Sequence, residues 1–380
     1  MRYLVDLFSR SSKGPIGIDI GHSCIRMIQL GCKDGLIRAE SAEQEPLEPT
    51  LTPDGSAQRR TIIRAIRSML SRGRFAGREV VSCLPGDTLK IKSLRLDVLE
   101  AERLEETLLE DTAQRFGLDL DSDEIRYLAA GSVYQGEEIK KEVIFLGMNR
   151  TQLMGHIALL EEAGLEPIAV DAMPCALFRS FQRTLRRQED CQIVSVLVNL
   201  GIHFTTVIIG RGASISLVKQ IPLAEHHLTQ KVADTLGISY DQAAAQIAQL
   251  QRLCSRQTDL PLQRTISAAI SRIIEDLARE ISLYFKYYAV SFRGEQPSEV
   301  VFAGGRLYES LLMDLLRQQL NIEIRVAEPL RGIDLSRVGF DRRPNPQMAE
   351  WAVAVGLALK GWSWLGPQEP DYIPQGGAAV

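Results

Sequence analysis

The chain lacks several features that would mark a specialised protein. Its six cysteines, at 24, 32, 83, 175, 191 and 254, form no Cys-x-x-Cys or Cys-x-x-x-Cys pair. That spacing excludes a zinc ribbon and argues for reduced thiols, several inside apolar runs, rather than a disulfide framework. No apolar run approaches the roughly 18 residues of a membrane span; the longest candidate is Ala352–Leu359. Met1–Arg10 is too short and too charged to hold the apolar core of a secretion signal. Neither charge sign dominates: 44 basic against 48 acidic residues leave a net charge of −4. Global attraction to nucleic acid or to anionic lipid is therefore not expected. Aromatics are only 6% of the chain, and no basic-aromatic patch for nucleic acid appears. There is no His-Glu-x-x-His, no Gly-x4-Gly-Lys-Ser/Thr and no Ser/His/Asp set. What is left is a globular chain, 45% hydrophobic and 24% charged, long enough for two or more domains and expected in a reducing cytoplasm.

What is present is a short pattern that occurs twice. Gly17-Ile18-Asp19-Ile20-Gly21-His22-Ser23 lies near the start and Val198-Asn199-Leu200-Gly201-Ile202-His203-Phe204-Thr205 near the middle. Each is a β-type apolar run, then Asp or its amide, one apolar residue, a glycine and a second β-type run. The spacing predicts hairpins whose glycine turns present backbone N–H groups to an anion. A third segment, Val301-Phe302-Ala303-Gly304-Gly305-Arg306, predicts a strand that feeds a double glycine and a helix start, where a nucleotide can lie against N–H groups.

The order of elements repeats as well. Strands are expected at 15–20, 23–30 and 36–41, then a helix bearing Ile62, Ile63, Ile66, Met69 and Leu70 on one face. Residues 78–166 read as an inserted α+β module. It would contain strands at 79–84 and 89–94, an acid-rich helix from Glu100 to Phe116 with a solvated face, a strand pair around Gln135-Gly136-Glu137, and a helix capped by Thr151 and stopped at Gly164. A return to β at 167–170 and a helix at 174–187 complete the first half. The second half predicts a hairpin at 193–200 and 203–209, a strand at 214–221, three long helices, a strand at 299–302, a helix at 307–320 and a small-residue helix at 347–360. The implied division is an N-terminal segment 1–14, a first lobe 15–77, the insert 78–166, a connecting helix 167–192, a second lobe 193–346, a helix 347–362 that packs back, and a tail 363–380. Two related α/β lobes follow from that order. In the N-terminal segment, Leu4, Leu7 and Phe8 share a helical face that could touch a membrane surface or be a frayed start.

The stretches GIDIGHSCIRMIQL, VLVNLGIHFTTVII, FAGGRLYESLL and AVAVGLALKG, supported by AGLEPIAVDAMPCAL and QIPLAEHHLTQKVADTLGISYDQA, resemble the actin-like ATPase superfamily. Within it the chain is similar to the PilM family of type IV pilus assembly proteins over about residues 15–362. The resemblance implies an actin-like two-lobe fold of duplicated ribonuclease-H-like domains with an inserted α+β subdomain. It implies ATP between the lobes with Mg2+ near the phosphates. Carried onto this sequence, Asp19 would hold a magnesium-bound water. Gly21, His22 and Ser23 would line the first phosphate loop. Arg26 would stand where relatives often have a lysine for the β-phosphate; its planar guanidinium is not an equivalent replacement. Gly201, Ile202 and His203 would form the second phosphate loop, and Gly304, Gly305 and Arg306 would lie beside the adenosine.

Three positions depart from that pattern. Asn199 stands where an aspartate is usual; the amide brings no charge, yet Asn also suits such a turn. Met173 stands at the head of the connecting helix, where active relatives place a Glu or Gln to orient water; as a core residue it still leaves that role empty. His203 replaces a small polar residue. It would crowd a γ-phosphate when neutral, bind one when protonated, or simply face solvent from its strand. His226-His227 is expected to face solvent at a helix start rather than to chelate a metal. No catalytic residue is assigned.

The resemblance therefore implies a cytoplasmic scaffold of a pilus or related secretion assembly, with weak or absent ATP hydrolysis. It would sit peripherally on the inner membrane through a PilN-like single-pass protein whose short cytoplasmic peptide docks between the first lobe and the insert, and it would meet other pilus or secretion assembly proteins. The alternatives are a working Mg-ATPase and a small-molecule kinase of the same superfamily. An FtsA-like division protein is disfavoured by a tail without a basic amphipathic helix, and a GspL-type relative by the missing span.

Overall fold

The computed structural model describes residues 12–33, 35–47, 55–97, 117, 119, 122–183, 193–253, 260–294, 297–304, 310–339, 348–360 and 362. The first half runs β1 (Ser12–Ile20), β2 (Cys24–Lys33), β3 (Leu36–Pro46), α1 (Gly55–Arg72), β4 (Glu79–Cys83), β5 (Lys90–Leu96), β6 (Asp123–Gln135), β7 (Glu138–Asn149), α2 (Arg150–Glu162), β8 (Glu166–Asp171) and α3 (Met173–Gln182). The second half runs β9 (Val194–Leu200), β10 (Thr205–Arg211), β11 (Ser214–Ile221), α4 (Glu225–Leu236), α5 (Tyr240–Leu253), α6 (Leu260–Phe292), β12 (Glu299–Ala303), α7 (Ser310–Leu320), β13 (Glu323–Val326) and α8 (Ala352–Ala358).

The duplication seen in the sequence is a duplication of sheets. One five-stranded sheet has the order β3-β2-β1-β4-β8, and the other has β11-β10-β9-β12-β13. In each, the first three strands form an antiparallel meander, and two later strands add in parallel. Strand β1 matches β9 and strand β4 matches β12, so Asp19 and Asn199 reach corresponding ends of corresponding strands. The central strands are buried on both faces. Ile16, Ile18, Val196 and Val198 have no exposed surface, and burying each such side chain contributes about 1.5–3 kcal/mol.

Two helices fill the space between the sheets. Helix α8 packs on β1, β2 and β4, and crosses α3. Only small residues allow this packing: a Cβ on Gly356 would stand 1.7 Å from the carbonyl oxygen of Ala176 in α3, and one on Gly17 of β1 would stand 2.2 Å from that of Ala354 in α8. A buried ion pair pins the crossing. Arg179 Nη1 donates to Asp171 Oδ2 at 2.8 Å and to the Gly356 carbonyl at 2.9 Å.

The structure narrows the insert. Strand β4 pairs in parallel with β1 and β8, and Leu159 and Leu160 of α2 pack with Ile62, Ile63 and Ile66 of α1. Both elements belong to the first sheet's layers, although the sequence placed them in the 78–166 module. The separate three-stranded sheet, β5-β7-β6, spans Lys90–Asn149. Arg95 fastens it to α6, donating to Tyr287 Oη at 2.9 Å and Ser291 Oγ at 2.8 Å. Helix α2 is capped by Asn149, whose side chain accepts from the Gln152 N–H, rather than by Thr151. Gly164, at φ +91°, does end it. Strand β13, Glu323–Val326, is not expected from the sequence pattern and forms by pairing in parallel with β12. Residues 12–14 of the expected N-terminal segment begin β1; residues 1–11, the acid-rich helix from Glu100 and the tail lie outside the described residues.

Candidate functional site

The two glycine turns are built alike. The Gly21 N–H donates to the Cys24 carbonyl at 3.1 Å, and the Gly201 N–H donates to the Phe204 carbonyl at 3.2 Å. A Cβ on Gly201 would meet that carbonyl oxygen at 2.7 Å. Each turn is also tied from behind. The Leu47 N–H holds the Ser23 carbonyl, and the Glu225 and His226 N–H groups at the start of α4 hold the carbonyls of Gly201 and Ile202. The turns face each other across a cleft of about 400 Å3, within the size range of small-molecule sites.

Most of the predicted residues meet there. Asp19, Gly21, His22, Ser23 and Arg26 line the cleft from the first sheet, and Asn199, Gly201, Ile202, His203 and Gly304 from the second. Gly305 and Arg306 lie outside the described residues. Gly304 has φ +130°, and a Cβ there would come within 2.5 Å of the Leu200 carbonyl oxygen, so the β12 turn lies against the second hairpin. Asp19 and Arg26 are cross-strand partners. Burial pushes the Asp19 carboxyl above its ordinary value, against the opposing pull of Arg26 and then His22. Arg26 Nε is buried without a hydrogen-bond partner, which leaves a cationic donor suited to an anion in the cleft.

Two of the three departures from the superfamily pattern, Asn199 and Met173, touch each other. Met173 opens α3 and is 8% exposed, packed with Val81, Cys83 and Leu357. Asn199 Nδ2 lies 3.9 Å from its sulfur. An amide against a thioether offers neither a metal-binding charge nor a base.

The rim holds groups that the sequence did not single out. Asp87, in a short 3-10 turn after β4, stands 3.4 Å from His22, whose ring holds the Asp87 carboxyl below the usual carboxylate range. His22 and His203 meet edge to face with ring centroids 4.6 Å apart. Burial, followed by the charge of His22, pulls the His203 imidazole below its ordinary value. His226 and His227 do not simply face solvent. His226 Nδ1 bonds the Ile202 carbonyl at 2.7 Å and braces the second turn, while His227 Nδ1 accepts the Ala224 N–H at 3.2 Å and caps α4. Glu225 and Glu350 also line the cleft. Glu225 lies in a stretch that supports the family resemblance, but nothing local marks either carboxylate as a cleft residue; tertiary folding brings them in.

The family model described as "Type IV pilus assembly protein PilM" matches residues 17–362. The chain belongs to the PilM family of type IV pilus assembly proteins. A solved "PilM-PilN type IV pilus biogenesis complex" contains a similar chain, 19% identical, with a TM-score of 0.73 over 92% of this chain and 98% of that one. The ethanolamine utilization protein EutJ from Carboxydothermus hydrogenoformans is 15% identical, with a TM-score of 0.53 over 93% of this chain and 92% of that one. These likenesses establish the actin-like ATPase fold of this PilM-family chain. No helix among the described residues is long and apolar enough to cross a membrane.

Proposed function

We propose that this PilM-family protein is a cytoplasmic scaffold whose nucleotide cleft binds ATP weakly and hydrolyses it slowly or not at all. The contact between Asn199 and Met173 carries this reading: both places where hydrolysis would need a charge or a polar water-guide hold groups that supply neither. The binding half of the site is better preserved. The partnerless Arg26 Nε and the three close-packed glycine turns suit a polyphosphate. Asp19 would contribute one ligand toward Mg2+, which takes most of its remaining ligands from phosphates and water. When bound, the metal would neutralise phosphate charge; the chain's own residues orient and cradle the anion.

The partner proposed is the short cytoplasmic peptide of a single-pass inner-membrane protein of the PilN type, which would place the chain peripherally on that membrane. Two observations support an edge-strand dock. Strand β8 ends its sheet with one edge unpaired among the described strands, and Ile168 on it is 54% exposed. An extended peptide adds naturally to such an edge. Titration of a fluorescent PilN-type peptide should show saturable binding that Ile168→Glu weakens at least about tenfold, roughly 1.4 kcal/mol. Binding that ignores this change moves the dock elsewhere.

A second reading, a working Mg-ATPase, is favoured by the carboxylates of Glu225 and Glu350 in the same cleft. It predicts magnesium-dependent turnover well above background that Asp19→Ala abolishes. Turnover at background level in the wild type removes it.

A further inference from the structure

Four of the chain's five histidines, His22, His203, His226 and His227, gather at the mouth of the cleft, and the phosphate-binding reading uses none of their imidazoles as metal ligands. Two of them, with one carboxylate, form a constellation of their own. His22 from the first turn, Asp87 from the turn after β4 and His203 from the second turn each present a ligand atom, and these atoms all lie within 4.8 Å of one another. His22 Nε2 and Asp87 Oδ2 are 3.4 Å apart. A tetrahedral ion with bonds of about 2.0–2.1 Å separates its ligands by about 3.3 Å, so this pair is already at spacing and His203 needs only a small approach.

We propose that His22, Asp87 and His203 form a site for a divalent transition-metal ion of the zinc class, which clamps the two turns together. Three facts carry this. The ligand set is two imidazoles and a carboxylate, which suits zinc, cobalt, nickel or copper far better than magnesium or calcium. The three ligands come from three separate loops that span both five-stranded sheets, so one ion would join what the backbone leaves apart. The loops are already held from behind. Gln220 Nε2 of β11 donates to the Gly86 carbonyl at 2.7 Å, which anchors the Asp87 turn to the second sheet, and His226 fixes the Ile202 carbonyl beside His203. Three protein ligands leave a position for water on the cleft side. The site is separate from Asp19, whose single carboxylate would serve a hard ion, and it stands or falls independently of the peptide-docking reading.

The test is calorimetric titration of chelator-treated full-length protein with Zn2+, in the absence of nucleotide and peptide. One equivalent is expected to bind, without competition from a large excess of Mg2+ or Ca2+. His22→Ala and His203→Ala should each weaken binding more than about tenfold, since even changes behind the ligands typically cost 10–100-fold. Should either variant fail to fold, Asp87→Asn keeps the side chain's shape and should show the same loss. Co2+ gives a second readout: the intense visible absorption of a four-coordinate ion in the wild type, lost in the variants. Absence of stoichiometric Zn2+ binding, or affinity unchanged in folded His22→Ala and His203→Ala, overturns the proposal. Equal competition by Mg2+ overturns it too, because it would relocate the ion to a hard-cation site.

Discussion

Arg179 is buried in an ion pair outside the cleft, and its replacement has a size that the structure sets. The guanidinium is 4% exposed, and its partner Asp171 is 1% exposed. Arg179→Met keeps much of the volume but strips Asp171 of its 2.8 Å ion pair. It leaves the Ala172 N–H at 2.8 Å and the Lys360 ammonium at 3.7 Å to hold a buried carboxylate. Removing one member of a buried pair costs about 3–5 kcal/mol. The nearby Lys360 places this case at the low end, about 3, and the Gly356 carbonyl losing its donor adds about 1. A loss near 4 kcal/mol is therefore expected. Asp171→Asn with Arg179→Met removes both charges and should be less damaging than the sum of the single changes, by about 1–3 kcal/mol. Urea unfolding followed by tryptophan emission suits the question, because Trp351, 3% exposed, sits at the foot of α8 beside the crossing. A cost under about 1 kcal/mol for Arg179→Met, or single changes that add within about 0.5 kcal/mol, would refute the claim that this pair pins α3, β8 and α8.

The remaining predictions concern pH and backbone geometry. His156 is half-buried against Ser82, 2.8 Å from its hydroxyl, and desolvation there pulls its pKa down to about 4. The unfolded chain takes up that proton first, below about pH 6.5, so stability should fall as pH drops from 6.5 to 4, by up to about 3 kcal/mol. His156→Gln should flatten that dependence in a pH series of urea titrations, and an unaltered slope would assign it to other groups. Gly304→Ala should destabilise by about 1–3 kcal/mol and weaken ATP binding, because φ +130° and a carbonyl 2.5 Å away leave no room for a methyl group. Wild-type melting and binding would show that the turn relaxes freely.

Local signals carried much of this fold. The hairpins around Gly21 and Gly201 were legible because apolar runs, turn glycines and strand lengths all act within a dozen residues. Strand β11 falls where the spacing put it, at Ser214–Ile221. What escaped was non-local. The sequence of β4 reads as a strand, but nothing local says that its partners are β1 and β8. Strand β13 has four residues, Glu323–Val326, half of them charged, too few to show a period; pairing with β12 makes it a strand. At the site, Asp19, Asn199 and Met173 came from motif positions. Asp87 and Glu350 lie outside the quoted motifs, Glu225 sits in one that does not mark it as a cleft residue, and the bracing role of His226 appears only once α4 starts against the second turn. His22 and His203 were each visible, but their meeting at 4.6 Å is a property of the closed pair of sheets.

Equilibrium titration of ATP, with and without magnesium, separates a cleft that keeps its phosphate-binding turns but holds Asn199 and Met173 at the hydrolysis positions from a working ATPase. Weak binding is expected, changed little when magnesium is chelated and weakened further by Arg26→Ala. Tight binding that collapses without magnesium, and with Asp19→Ala, would contradict it.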